Sequence, residues 1–353
     1  MKLNFALAFG AGVALLAMSA PQISTAATMT VTSWGGSYSA SQRKAYYEPF
    51  MKETGHQILE DEWDGSVAVI RAMVDTNNYK THVLDGSVAV AMAGCDEGIL
   101  EPVNWEALGM TPDDFLPGGS TECGIATIAY STLYAYRTDT YPDNPPQDWA
   151  DFWDVKKFPG KRGLRKGNPQ GTIEFALIAD GVAPGKVYDV LRSDGGVERG
   201  FAKLDEIKKH LIYWETGAHA PQLLADQEVV MTSGWNGRFY NAVVDDGQPF
   251  ALVWDGQALD FDYWFVPAKH PEQALAWEFL KFASRPERQG DQTNYIAYGP
   301  MVKGAEKFIK PEMLPHMPTA AQNTQNYFLM DASYWADNRE SMTARMSTWM
   351  AKE

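Results

Sequence analysis

The residues best suited to hold a ligand in this chain are aromatic rings and carboxylates. There are 12 Trp, 16 Tyr and 16 Phe, and acidic residues stand near several expected strand ends. Asp85 precedes Gly86-Ser87, and Asp260 and Asp262 sit in the run that leads to Pro267. An ammonium leaving water needs that combination: carboxylates for its charge, ring faces for cation–π and methylene contact. Most tryptophans, Trp149 and Trp153 among them, are expected to pack rather than bind.

Signatures of catalysis are missing. The sequence contains no His-Glu-x-x-His, no Gly-x-Ser-x-Gly and no Gly-x-Gly-x-x-Gly. Gly181-Val-Ala-Pro-Gly185-Lys186-Val187 has one residue too few between its glycines for a phosphate loop, and Val187 replaces the hydroxyl that would meet magnesium. The six histidines are scattered without metal-ligand spacing. Asp260-Phe261-Asp262 runs on into Tyr263-Trp264, which lacks the oxygen donors and glycine of a calcium loop. No catalytic residue, metal site or cofactor is expected. With 45 acidic residues, a glycosidase pair could always be drawn, so a secreted glycoside hydrolase stays as the alternative of another class.

These side chains need a scaffold, and 353 residues allow two lobes. Thr30-Val-Thr-Ser-Trp34 reads as a strand delivered to the turn Gly35-Gly36, followed by a helix over 39–54 and a strand over 56–59. A helix over 67–74 and a strand over 82–84 continue the β-α-β pattern, which places ligands at carboxyl strand ends of a parallel sheet. A polar stretch over 138–148 with three prolines marks a crossover into a second lobe. There the spacing predicts helices over 171–179, 196–208 and 220–226, and strands over 211–214 and 229–232. A strand-like run over 260–267 returns the chain to the first lobe and leads to a helix over 271–283. One or two terminal helices are expected over 327–352.

Lys2 and the apolar run over 5–18, followed by small residues, read as a cleaved secretory leader over 1–27. Its loss removes only Lys2, which takes the net charge of -15 to -16, so the acidity belongs to the mature chain. Such a surface repels nucleic acid and anionic lipid. Cys95 and Cys123, an even pair in an exported chain, are expected to bridge, with two buried free thiols as the other reading.

Ser33-Trp34-Gly35-Gly36-Ser37-Tyr38, Trp149-Ala-Asp-Phe-Trp-Asp-Val-Lys-Lys-Phe-Pro-Gly160, Gly234-Trp-Asn-Gly-Arg238, Trp264-Phe-Val-Pro267 and Ala297-Tyr-Gly-Pro300, in that order, resemble the spermidine- and putrescine-binding proteins, periplasmic receptors of ABC importers. The resemblance covers essentially the whole mature chain. It implies an α/β, type II periplasmic binding protein fold: two lobes, each a mixed, mainly parallel sheet flanked by helices, joined by a hinge. The lobes would comprise 28–136 plus 263–318 and 137–262 plus 319–353. It also implies a monomer that closes on a small organic amine and presents it to a permease.

Carried over residue by residue, Trp34 matches the aromatic covering the polyamine, Tyr38 lines the same edge, and Ser87 matches a position that varies among members. Ala89 stands where spermidine-type proteins have a tyrosine. Glu174 matches a helix carboxylate that pairs with an amine, Trp235 an aromatic platform, Asp262 the carboxylate receiving an ammonium, and Tyr298 the closing ring; Trp214 and Asp260 are expected among the ligand-binding residues as well. Two positions depart from the pattern. Asp260 replaces a tryptophan, and Arg238 replaces an aspartate of the putrescine type. Arg238 either pairs with Glu215, or receives a ligand carboxylate and turns a diamine site into one for a zwitterion such as an ω-amino acid.

Overall fold

A computed structural model describes Met1 and residues 26–352. The expected leader over 1–27 falls almost wholly outside the described residues. The strands, in chain order, are β1 (Thr28–Ser33), β2 (Gln57–Glu62), β3 (Val83–Ser87), β4 (Ile125–Arg137), β5 (Arg162–Arg165), β6 (Leu211–Trp214), β7 (Met231–Trp235), β8 (Phe250–Phe265), β9 (Gly299–Pro300) and β10 (Tyr327–Leu329).

The β-branched run Thr30-Val-Thr forms β1, which pairs in parallel with β2 and β3. The turn after it requires glycine, because Gly35 and Gly36 have φ of 69° and 57°. From that turn rises the helix Gly36–Gln42, continued by a π segment Arg43–Tyr47 and a second α segment Glu48–Thr54. Pro49 has no N–H to give the carbonyl of Ala45, which accepts instead from Arg288 Nη1 at 3.2 Å. The helix stops at Gly55, whose φ is 79°.

Two long strands organise the centre. β4 and β8 run antiparallel, from Ile125 opposite Trp264 to Arg137 opposite Phe250, with register breaks between Ala126 and Ile128 and between Thr132 and Tyr134. Parallel strands flank them on both sides, giving one sheet in the order β2-β1-β3-β8-β4-β7-β5-β6, with β9 on β4 and β10 on β8. The mixed α/β class is as expected. The two lobes share a single ten-stranded sheet because the crossing strands pair with each other along their whole length.

Hydrophobic cores lie at each end. One gathers Tyr46, Phe50, Trp264 and Phe279 above the sheet, with Ile70, Leu84, Tyr263 and Phe265 on the other face. The second gathers Trp149, Phe152, Phe175 and Trp335, with Leu133, Trp214, Leu223 and Phe239 opposite. β4 gives Ile125, Ala126 and Ala129 to the first core and Leu133 to Tyr136 to the second; β8 changes sides between Ala258 and Leu259. Cys95, on the helix Val88–Asp96, is bridged to Cys123 with their Cα atoms 5.6 Å apart, which contributes about 3–4 kcal/mol in the loop-entropy view. At the C-terminus β10 is followed by one helix, Ala332–Ala351, capped by Asp331 accepting from Tyr334 N at 2.9 Å.

Candidate functional site

A cleft over the middle of β4 and β8 encloses about 720 Å³ of unfilled space, part of it open to solvent. Of the expected residues, Trp34, Tyr38 and Ser87 line it from the first lobe, and Trp235 and Arg238 from the second. Asp260 and Asp262 on β8, and Tyr298 just before β9, complete the set.

Strand register gathers the acids. Antiparallel pairing sets Ser87 opposite Asp262 and Asp85 opposite Trp264, so Asp85, Ser87 and Asp262 share a face, and the two-residue repeat adds Asp260. Asp85 is fully buried and accepts from Tyr38 Oη at 2.8 Å and Gln42 Nε2 at 2.5 Å, leaving Oδ1 without a partner. Asp260 accepts from Tyr130 Oη at 3.1 Å. Asp262 Oδ1 is buried with no hydrogen-bond partner among the described residues, as is the indole Nε1 of Trp34. Burial pushes Asp85 and Asp260 up to about 7. Asp262 is held well above the carboxylate range, by burial first and then by repulsion from Asp85 and Asp260. The Trp34 N–H makes no well-formed hydrogen bond, yet lies near enough to favour the ionised forms of Asp85 and Asp262. None of the three acids has an ion pair among the described residues, and Arg339 and Arg165 favour the ionised forms of Asp260 and Asp262 only as minor influences.

The opposite wall is basic. Arg238, on the helix Asn236–Val244, reaches across the cleft: Nη2 donates to Gly35 O at 2.8 Å and Nη1 to Ser37 Oγ at 3.2 Å, while Nε is buried without a partner. A Cβ on Gly36 would stand 2.8 Å from Arg238 Nη1, so the glycine also makes room for this contact. Glu215 does not pair with Arg238; it pairs with Lys166 at 2.5 Å. Arg165 at the end of β5 and Arg339 on the last helix also line the cleft. Neither was foreseen, although the position of Arg165 at a carboxyl strand end was a signal that could have found it.

Two expected contacts lie elsewhere. Glu174 is fully buried away from the cleft, where it accepts from Gly171 N, Tyr188 Oη and Trp335 Nε1, each at 2.8 Å. It closes the N-terminus of the helix Thr172–Ala179, and desolvation lifts it to about 7. The resemblance placed an amine-pairing carboxylate there, but the first-turn position folds it back onto its own helix. Trp214 is buried beneath Trp235, with ring centres 5.6 Å apart, and donates to Ser233 Oγ at 3.3 Å. It supports the platform without lining it. Ala89 is buried in the second lobe's core. Replacing Glu174 by Ala is expected to cost about 2–4 kcal/mol in urea denaturation, because buried donors lose their acceptor. Ligand affinity of the folded variant is expected to stay within about twofold; a large loss of affinity at unchanged stability would return Glu174 to the site.

A cleft between two α/β lobes, walled by rings and unsatisfied charges, defines a two-lobed solute-binding protein. The model of the bacterial extracellular solute-binding protein family matches residues 45–319, and the chain belongs to that family. It is 40% identical over 337 residues to a gamma-aminobutyric acid-binding protein of Pseudomonas aeruginosa, covering 96% of this chain and 95% of the relative. The crystal structure of the binding protein MotA from A. tumefaciens B6 in complex with glucopine is 32% identical with a TM-score of 0.85, covering 92% of this chain and 99% of that one. The structure of the Atu4243 GABA receptor is 31% identical with a TM-score of 0.81, covering 92% and 98%. Members of this family bind solutes for ABC transporters, so the protein is a binding protein and not an enzyme. No helix among the described residues is long and apolar enough to cross a membrane.

Proposed function

We propose that this protein captures an ω-amino acid of the gamma-aminobutyric acid (GABA) type by closure of its lobes, and delivers it in the periplasm to an ABC permease. The observation that carries this reading is the pairing of two buried orphans in one cleft: Asp262 Oδ1 among carboxylates, and Arg238 Nε on the basic wall. An ammonium completes the first and a carboxylate the second. A diamine or polyamine, the first expectation from the resemblance, would set its second ammonium against Arg238. The similarity to GABA-binding proteins supports the zwitterion as well.

The rings of Trp34, Trp235 and Tyr298 would cover the methylene chain. The lobes of this reading are 28–136 plus 263–318 and 137–262 plus 319–353, with the bend falling within β4 and β8 where the cores change sides. The monomer is part of this reading as the resemblance implies it. Calorimetry with GABA, putrescine, spermidine and glucose tests the reading. GABA is expected to bind and the diamine, polyamine and sugar to bind at least about a hundredfold more weakly; putrescine binding more tightly than GABA would overturn it.

A further inference from the structure

Three guanidiniums line the cleft, more than one ligand carboxylate uses. Arg238 gives its terminal nitrogens to the facing lobe, and its buried Nε has no hydrogen-bond partner among the described residues. The other two are unspent. Arg165 lies over the ring of Trp235, 5.3 Å from its centre, and over Trp214 at 5.8 Å, without a hydrogen bond to any described residue. Arg339 makes one contact, Nη2 to Gln170 Oε1 at 3.0 Å. Neither has a carboxylate within 4.0 Å among the described residues, although both are half-buried. Each disfavours its own charge through desolvation, and Arg165 is further opposed by Arg339. Two cations that line one cleft without an ion pair among the described residues, balanced only at longer range by Asp260 and Asp262, form a site for an anion.

Its place relative to the acids sets the ligand class. Arg339 acts electrostatically on Asp260, and Arg165 on Asp262. The unspent guanidiniums therefore adjoin the carboxylates that await the ammonium. We propose that Arg165 and Arg339 form a second anion subsite, so that the preferred ligand is an amino dicarboxylate bearing one carboxylate beside its amine and another at the far end of the chain. This rests on the zwitterion reading above, with the amine at Asp262 and the distal carboxylate at Arg238. Trp235 serves both halves: its ring braces Arg165 and covers the ligand chain.

The test is calorimetry on the full chain with GABA and with L- and D-glutamate, which are GABA with a second carboxylate on the amine-bearing carbon. One glutamate enantiomer is expected to bind at least about tenfold more tightly than GABA. Arg165→Gln and Arg339→Gln are expected to erase that difference, lowering glutamate affinity at least about tenfold more than GABA affinity. Arg165→Lys, which keeps the charge and much of the packing, is expected to retain part of the preference, and thermal unfolding without ligand checks that each variant is folded. GABA binding more tightly than both enantiomers, or Arg165→Gln weakening GABA as much as glutamate, would overturn the second subsite alone. If neither GABA nor glutamate binds, or if Asp262→Asn leaves both affinities unchanged, the zwitterion reading falls and this one with it.

Discussion

Replacing Asp262 by Asn is expected to weaken GABA binding by about 2–5 kcal/mol, roughly thirtyfold to a few thousandfold in affinity. Asp262 sits with one carboxylate oxygen buried and unpartnered, beside two more acids that raise its proton affinity. An ammonium arriving there relieves the repulsion and fills the orphan acceptor at once. The amide is nearly the same shape and removes only the charge, so packing under Trp34 is preserved. Asp260 is already engaged by Tyr130 and by Phe261 N at 2.8 Å, so Asp260→Asn is expected to have the smaller effect. Calorimetry on the two variants decides the order, and an unchanged affinity in Asp262→Asn would remove that residue from the amine subsite.

Acidification is expected to weaken capture, by up to about tenfold for each pH unit below about 7 for one displaced proton. Asp85 rises from the usual carboxylate range to about 7 when folded and empty, with Asp262 raised alongside it. Below that pH the empty site holds a proton that the ligand's ammonium must expel. The groups facing the pair from the helix Gly36–Gln42 and its continuation are Tyr38, Tyr46 and Tyr47, all raised above the usual phenol range by burial and therefore neutral throughout. Asp260, Tyr130 and Tyr298 face it from the strands and Arg165 from the second lobe.

The sign for stability is opposite to that for affinity. A folded pKa above the unfolded value stabilises the empty protein below about pH 4 and is lost as pH rises through about 7. Glu174, also at about 7, adds to the same slope. The empty protein is expected to be more stable at pH 5 than at pH 7.5, and saturating GABA to reduce the difference. Thermal unfolding and calorimetry in buffers of different ionisation enthalpy read both effects; proton-free binding at pH 6 would contradict the coupling.

Much of this site was legible before any coordinates, and the omissions have physical reasons. Trp34 follows a strand and precedes two glycines, so its exit from the sheet is written locally. Asp260 and Asp262 share a face by the strand repeat alone. Asp85 could be seen at a strand end, but its direction depends on pairing with a strand some 180 residues away, and register between distant strands is not local information. β4 escaped notice because both its faces are buried, so it shows neither alternation nor helical spacing. Arg165 sits in Arg162-Gly-Leu-Arg-Lys166 and looks like an ordinary surface charge until β5 ends at the cleft. Glu174 failed for the opposite reason: the resemblance gave it a partner outside the helix, while the chain supplied three within the fold.

The oxygen that Arg238 grips most closely, that of Gly35, belongs to the main chain. Position 34 can therefore trade its indole for another group without removing the acceptor on Gly35. The lining can change while this contact between the two sides of the cleft stays.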